Sequence, residues 1–235
     1  MTFSMKRLLA IFNKDYKDLT RNLYVSFTLL VPLVLAAVFG RQGIDSIDLY
    51  YMVFNMALCL VAAYIQCSLI AEEKEKNTLR GLMLSPASTM EILVGKGLLS
   101  FVTTILVIGI SAYFLGYMPE NLLIVSLGII LSTVFYIALG TALGLVTRSV
   151  MEASVIIMPF VFIFSFGTSL SVLAEKYPIL QAADYLPNSQ LIMIAKEVEM
   201  GTGLAELWSH FGIIGLWVIG MALITMVIYR KRMVD

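Results

Sequence analysis

Six long apolar segments, separated by short polar ones, dominate the pattern of the chain. The charge-free runs are 22–40, 49–71, 97–119, 121–147, 153–174 and 207–229. A helix needs about 20 apolar residues to cross the hydrocarbon core of a bilayer. The pattern therefore predicts an all-α membrane protein, in which a single transmembrane domain over 1–235 contains six transmembrane helices.

The first 21 residues have a different pattern, in which charged residues interrupt the apolar ones. On a helix over 5–21, one face would carry Leu8, Phe12, Tyr16 and Leu19, with lysines and arginines elsewhere. A helix of this kind lies in the membrane interface rather than crossing it; a solvated tail is the alternative. Because the segment has no uninterrupted apolar core, we expect it to be retained and not removed as a signal peptide.

Composition agrees with a membrane protein. Hydrophobic residues make up 60% of the chain and charged residues only 14%, whereas soluble domains carry about 25% charged residues. The formal net charge is zero and no basic block is present, so nothing points to a nucleic-acid partner.

The lysines and arginines predict the orientation. If both termini are cytoplasmic, the inner segments hold 13 of the 16 basic residues, and the outer ones hold only Arg41, Lys176 and Lys196. Basic residues concentrate on the cytoplasmic side of membrane proteins. We therefore expect a multi-pass protein of the cell membrane with cytoplasmic N and C termini.

Residues that could do chemistry are scarce. The apolar runs contain no deep Asp, Glu, Lys, Arg or His, and we find no nucleophile–base pair or metal-ligand cluster. Cys59 and Cys67 lie two helical turns apart and cannot bridge within one helix. Gly95-Lys96 lacks the earlier glycine of a phosphate-binding loop. We expect no catalytic, metal or cofactor site in this chain.

Local signals add detail to the helices. Pro32 and Pro159 should kink the first and fifth spans. Ser149-Val150-Met151-Glu152 is a capping-box pattern at the start of the fifth. Gly140 and Gly144 form a GxxxG pattern that permits close helix approach, either inside one subunit or between two.

The charged segment between the second and third spans is unusual in so apolar a chain. It begins Glu72-Glu73-Lys74-Glu75-Lys76, after which Leu79, Leu82 and Met83 share one helical face. Ser85-Pro86 ends that helix. A short amphipathic helix held between two transmembrane helices can dock into a groove of a soluble partner or lie on lipid, and the pattern alone does not choose.

This segment resembles the cytosolic loop of ABC-2 type transporter permeases, in the residues EEKEKNTLRGLMLSPAS followed by MEILVGK. The family pattern is a charged cluster, Thr-Leu, apolar residues, a proline with small residues, and an apolar pair before Gly-Lys. The start of the chain, FNKDYKDLTRNLYVSFTLLVPLVLAAVFG, also resembles the family's interfacial helix and first span.

The resemblance implies a half-transporter. Two permease subunits, identical or different, would form the membrane part, and separate ABC ATPase subunits would bind ATP and Mg²⁺. The charged segment would be the coupling helix that contacts the ATPase, through Glu72, Glu73, Glu75, Thr78, Leu79, Arg80, Leu82, Met83 and Pro86. The short loop from Arg148 to Glu152 would be a second cytosolic contact.

Polar residues within the spans are candidates for a translocation path between two subunits. They are Asn55, Gln66, Ser165 and Thr168. The alternative for such residues is a hydrogen bond between helices, worth about 1 kcal/mol.

The segment before the last span predicts a helix that starts near Pro187 and ends at Gly201 or Gly203, with Leu191, Ile194, Ala195 and Val198 on one face. In the family, this region forms short outer helices.

The family mostly exports, so we expect export of an amphipathic peptide, antimicrobial or lipophilic drug. A polysaccharide or lipid exporter is the alternative within the family, and a channel or scaffold the alternative outside it.

Overall fold

The computed structural model describes residues 4–78, 89–165 and 178–234, and these are helical with no strand. The α-helices are α1 Met5–Arg21, α2 Leu23–Thr28, α3 Leu30–Gln42, α4 Ile47–Ala57, α5 Tyr64–Glu75, α6 Thr89–Leu115, α7 Leu122–Val146, α8 Val150–Ile156, α9 Pro187–Glu199 and α10 Trp208–Val234. A π-helix, Leu58–Ala63, joins α4 to α5, and a 3-10 helix, Pro178–Tyr185, precedes α9.

Among the described residues, five helical stretches are long and apolar enough to cross a membrane. They are Val25–Gln42, Ile47–Glu75, Glu91–Leu115, Leu122–Val146 and Trp208–Lys231, and each coincides with a predicted span. The predicted span 153–174 is represented by a shorter apolar helix, Val150–Ser165, because the rest of that run lies outside the described residues. The multi-pass architecture is therefore confirmed, whereas the six-span layout stays a prediction.

Both predicted kinks are present as breaks just before a proline. α2 ends at Thr28 and α3 begins at Leu30, two residues ahead of Pro32. α8 ends at Ile156, and the helix resumes after a turn at Ile157, ahead of Pro159. A proline lacks the backbone N–H and its ring collides with the carbonyl four residues earlier, which explains why the break precedes the ring.

The stretch Ile47–Glu75 forms the centre of the molecule. In its most apolar part, 94% of the residues are buried, against 11% in the most apolar part of Trp208–Lys231. α7 packs closely along it at Gly140 and Gly144, which have no side chain to hold the helices apart. A Cβ added to Gly140 would stand 2.1 Å from the carbonyl oxygen of Ala63, and one added to Gly144 would stand 2.8 Å from that of Cys67. The GxxxG pattern therefore serves packing within one subunit.

α1 packs across the start of α6 through one face. Leu8 and Leu19 are buried on this face, together with Ile11 and Asp15. Tyr16, which the sequence pattern places on the same apolar face as Leu8 and Leu19, is 53% exposed, and the position of this helix in the membrane interface stays a prediction. The packed face is centred on Asp15, which the tertiary structure pairs with Lys96.

The predicted helix before the last span is confirmed as α9. Its apolar face is buried, with Leu191, Ile194, Ala195 and Val198 each at most 2% exposed. α9 also contacts α10 through His210, whose Nδ1 lies 2.6 Å from Oε1 of Gln190 and whose Nε2 lies 3.1 Å from Oε1 of Glu197.

Candidate functional site

Charged side chains from α1, α5 and α6 meet at one end of the helix bundle, which we call the charged end. Five residues here form a cluster that we call the charged junction: Lys14, Asp15, Glu73, Thr78 and Lys96. Their elements are separate in sequence, since Lys96 is 81 residues from Asp15 and 23 from Glu73. The junction therefore ties the N-terminal helix to the two helices that flank segment 79–88.

Lys96 is the centre of the charged junction. Its ammonium donates to both carboxylate oxygens of Asp15, at 3.0 and 3.2 Å, and to Oε1 of Glu73 at 3.1 Å. The three side chains are 1%, 1% and 4% exposed. Charges this deeply buried are tolerated only when they are paired and hydrogen-bonded, and here the Lys96 ammonium has three carboxylate oxygens as acceptors.

Glu73 is held from three sides. Lys14 forms an ion pair with its Oε1, and the hydroxyl of Thr78 donates to its Oε2 at 2.5 Å. Thr78 is brought back onto α5 by Asn77, which adopts a left-handed conformation with φ of 56°. The amide of Thr78 then donates to the carbonyl of Glu73 at 2.8 Å, a helix ending that asparagine tolerates well.

Burial and pairing shift the two titratable groups that α1 contributes. Burial raises the pKa of the Asp15 carboxyl, and the attraction of Lys96 reduces this effect without cancelling it. For Lys14, partial burial lowers the pKa, but the hydrogen bond and charge of Glu73 outweigh it and leave the pKa raised. The Lys14 ammonium is therefore kept charged by the carboxylate of α5.

Gly95 explains how α1 comes close enough to reach Lys96. A Cβ at this position would stand 3.1 Å from side-chain atoms of Ile11 and 3.4 Å from the carbonyl oxygen of Leu8. A larger residue would push α1 away. The two adjacent residues thus have complementary roles: Gly95 allows α1 to pack closely, and Lys96 forms the ion pair with Asp15 of α1.

Two further contacts tie α5 to the turn between α7 and α8. The Lys74 ammonium donates to the carbonyl of Leu145 at 2.6 Å and also to that of Thr147, which satisfies the C-terminal end of α7. The backbone amide of Val150 donates to Oε2 of Glu75 at 3.0 Å. The charged end therefore connects α1, α5, α6, α7 and α8.

The predicted second contact, Arg148 to Glu152, is an exposed turn at the same end. Ser149 accepts from the amide of Glu152 at 3.2 Å, and Glu152 reaches back to accept from the amide of Arg148 at 2.6 Å. The predicted capping interaction is therefore present, with the carboxylate one residue further back than the ideal pattern.

Four of the predicted coupling-helix residues lie within the part of the chain that the structure describes. Glu73 is buried, whereas Glu75 and Thr78 are exposed and Glu72 is partly exposed, paired with Lys76 at 2.5 Å. Leu79, Arg80, Leu82, Met83 and Pro86 lie outside the described residues. The contact of this segment with an ATPase stays a prediction.

Three of the four candidate path residues lie within the described part of the chain, and all three are buried. Gln66 is fully buried and joins three helices: it donates to Thr141 Oγ1 at 3.1 Å and accepts from Ser100 Oγ at 3.0 Å. Asn55 and Ser165 are buried, and Asn55 Oδ1 has no hydrogen-bond partner within the described residues. Thr168 lies outside them. For Gln66, the geometry favours the alternative of a hydrogen bond between helices.

Replacing Gln66 by leucine tests this alternative. We expect a loss of about 1 kcal/mol in the free energy of unfolding, because the Ser100 hydroxyl loses its acceptor inside an apolar bundle. Urea unfolding of the purified protein in detergent measures the change. Thr103→Val is the control, since the Thr103 hydroxyl bonds carbonyls of its own helix. A Gln66→Leu protein as stable as wild type would contradict the bridge.

Sequence reasoning missed Asp15, Lys14 and the burial of Lys96. Asp15 is one of several charges in a polar segment, and no spacing rule connects it to a lysine so far along the chain. The only available signal was an acidic residue between Ile11 and Leu19 on one helical face, since an acid within an apolar face requires a partner.

Comparison with known proteins gives one family. A family model described as ABC-2 family transporter protein matches residues 26–229. The match is most of the chain and reaches into each of the five stretches that are long enough to cross a membrane within the described residues. A search of curated proteins finds no match.

Proposed function

The chain belongs to the ABC-2 transporter family as a membrane permease of an ABC transporter, and from this we propose that it is the permease subunit of an ATP-driven exporter. A separate ATPase subunit would bind ATP and Mg²⁺ and dock at the charged end. Two permease subunits, identical or different, would enclose the path. By the distribution of basic residues, the charged end and both termini would face the cytoplasm.

The charged junction is the observation that carries this proposal. Segment 79–88 leaves α5 and enters α6, and the ends of both helices are bound to one another through Glu73 and Lys96. α1 joins them through Asp15, and the α7–α8 turn joins through Glu75. A force applied to this segment by an ATPase would therefore act on several transmembrane helices together.

The burial of Glu73 changes the role that we propose for it. A side chain 4% exposed and engaged by Lys96, Lys14 and Thr78 offers no surface to a partner, so we propose that Glu73 positions the coupling segment. Glu72 and Glu75 would stay available at the edge of the interface. Leu79 and Leu82 would supply the apolar contacts of this interface. The exposed turn from Arg148 to Glu152 would form the second, smaller contact with the ATPase.

For the cargo, we propose an amphipathic peptide, antimicrobial or lipophilic drug. The proposed outer segments contain eight acidic residues and three basic ones, a balance that favours cationic molecules. Asn55, whose buried Oδ1 has no hydrogen-bond partner among the described residues, and the buried Ser165 would offer polar contacts along the path. Failure of peptide transport with retained polysaccharide transport would replace this cargo without changing the permease role.

Affinity purification of the detergent-solubilised protein tests the proposal. We expect a P-loop ATPase to co-purify, with ATP hydrolysis in the eluate, and Leu79→Asp to abolish both, because a carboxylate cannot enter an apolar groove without a partner. Leu204→Asp is the matched control, since Leu204 is 39% exposed at the opposite end of the bundle, and it should keep the ATPase.

Two results would contradict the docking role. One is a wild-type protein without a co-purifying ATPase. The other is a Leu79→Asp protein that keeps the ATPase as fully as the Leu204→Asp protein does, which would show that docking does not depend on Leu79.

A further inference from the structure

The single histidine of the chain joins α9 to α10 at the end of the bundle opposite the charged end. His210 lies in the first turn of α10 and is partly buried. Its Nδ1 lies 2.6 Å from Oε1 of Gln190, and its Nε2 lies 3.1 Å from Oε1 of Glu197. Both ring nitrogens therefore face an oxygen atom of α9.

The orientation of Gln190 makes both of these oxygens hydrogen-bond acceptors. Its side-chain nitrogen donates to the backbone carbonyl of Asp184 at 2.6 Å, which leaves its Oε1 facing the imidazole. A neutral imidazole has one N–H donor, whereas the imidazolium ion has two. The geometry is therefore that of the protonated ring, which donates to Gln190 and forms an ion pair with Glu197.

The other charged side chains of α9 have partners elsewhere. Lys196 pairs with Asp48 of α4 at 2.7 Å, and Glu199 lies 3.4 Å from the hydroxyl of Tyr117. α7 packs along α10 and contains no Asp, Glu, Lys, Arg or His. Histidine is the side chain whose charge ordinarily changes between pH 5 and 8, so the link from α9 to α10 depends on a proton at His210. The charged side chains that remain on the segments next to these helices are the carboxylates of Glu120, Asp184 and Glu206.

α9 also contains a polar side chain that this arrangement leaves unpaired. Asn188 is 1% exposed, and neither its Oδ1 nor its Nδ2 has a hydrogen-bond partner within the described residues. An amide buried in this way raises the free energy of the folded state, because it has lost water without gaining a partner. The packed position of α9 is therefore opposed by Asn188 and supported by the contacts of His210.

We propose that His210 is a proton-dependent latch for α9. With both ring nitrogens protonated, it fixes α9 against α10 through Gln190 and Glu197. Loss of one proton to solvent removes one hydrogen bond and the charge of the ion pair, and the unpaired amide of Asn188 then favours movement of α9 out of its packed position. In the exporter proposed above, with this end outside the cell, external acid would keep α9 in place. That regulatory meaning rests on the proposed function, whereas the latch itself does not.

Cysteine labelling of the full chain in detergent tests the latch. Val198, next to Glu197, is 2% exposed, whereas Met200 is 74% exposed, and both native cysteines are buried. A water-soluble maleimide should therefore react with Val198→Cys only when α9 moves. Dividing its rate by that of Met200→Cys removes the effect of pH on the thiol. We expect this ratio to rise about tenfold from pH 5.5 to pH 8, the factor that corresponds to the loss of one charge-assisted hydrogen bond.

Three further variants, each combined with the two labelling positions, identify the group responsible. His210→Gln carries no charge at either pH, so its ratio should not change with pH. Glu197→Gln should raise the ratio at pH 5.5, because the imidazolium loses its ion pair. Glu199→Gln is the matched control, since it removes the same charge from the same turn of α9 but contacts Tyr117, and it should respond to pH as the protein with His210 and Glu197 intact does.

Three results would overturn the latch. They are a ratio that is the same at both pH values with His210 intact, a pH response that persists in His210→Gln, and equal effects of Glu197→Gln and Glu199→Gln. The measurement needs neither an ATPase nor a cargo, so its failure and the failure of the permease role are separate results.

Discussion

Replacing Lys96 by methionine should lower the free energy of unfolding by about 3–5 kcal/mol, the usual cost of removing one partner from a buried ion pair. Methionine is similar in length and fills the same space. Asp15 would lose both of its hydrogen bonds at 1% exposure, whereas Glu73 would keep Lys14 and Thr78. Thermal unfolding of the purified protein in detergent measures the effect.

A second substitution separates the lost ion pair from lost packing. Lys96→Met/Asp15→Leu removes both charges, and the introduced leucine would complete an apolar face with Ile11 and Leu19. We expect most of the stability to return, because neutral packing can replace a buried pair at little cost. Lys17→Met is the control for the methionine, since Lys17 is exposed on the same end of the molecule, and it should change stability by less than about 0.5 kcal/mol.

An unchanged unfolding midpoint in Lys96→Met would show that the charged junction is not a stabilising element. A double variant less stable than the single one would show that Asp15 has another essential role. In either case, the proposed transmission of force through this end of the bundle would lose its physical basis.

Replacing Gly140 by alanine should be nearly as severe, although it adds a single methyl group. The new Cβ would stand 2.1 Å from the carbonyl oxygen of Ala63 and 2.9 Å from its carbonyl carbon. Both atoms are backbone of the π-helix, so no side chain can rotate away. The helices must separate, and overpacking of this kind costs about 1–3 kcal/mol or more.

Gly212→Ala is the matched control for Gly140→Ala. Both glycines lie in long apolar helices, but a Cβ at Gly212 meets nothing within 4 Å. We expect Gly212→Ala to equal or exceed wild-type stability, because alanine is the better helix former. Equal unfolding midpoints for the two variants would contradict the close approach of α7 to the π-helix.

A change at Gly140 would affect more than stability. π-helical turns occur mostly as single insertions within α-helices, often at functional sites, and this one is held against α7 at the centre of the bundle. Because Leu58–Ala63 lies between candidate path residues Asn55 and Gln66, pushing α7 away from it would also move the helix that carries both.

Local signals predicted much of the fold because they depend on neighbouring residues. The breaks before Pro32 and Pro159 follow from ring geometry, and the Ser149–Glu152 cap follows from four adjacent residues. Which residues of α1 are buried against the rest of the protein depends on more than its own sequence. Apolar residues surround much of that helix, and only contact with α6 decides which of them are covered.

The apolar runs by themselves determined that this protein is a helical membrane protein, and where its helices run. A long apolar segment can satisfy its backbone inside a bilayer only as a helix. The order of charged and apolar residues also carried the family resemblance. Tertiary structure alone decided that Asp15 meets Lys96, that Glu73 is buried and that Gln66 joins three helices. Such contacts form between residues up to 81 positions apart, and they depend on the three-dimensional arrangement of helices that no local pattern describes.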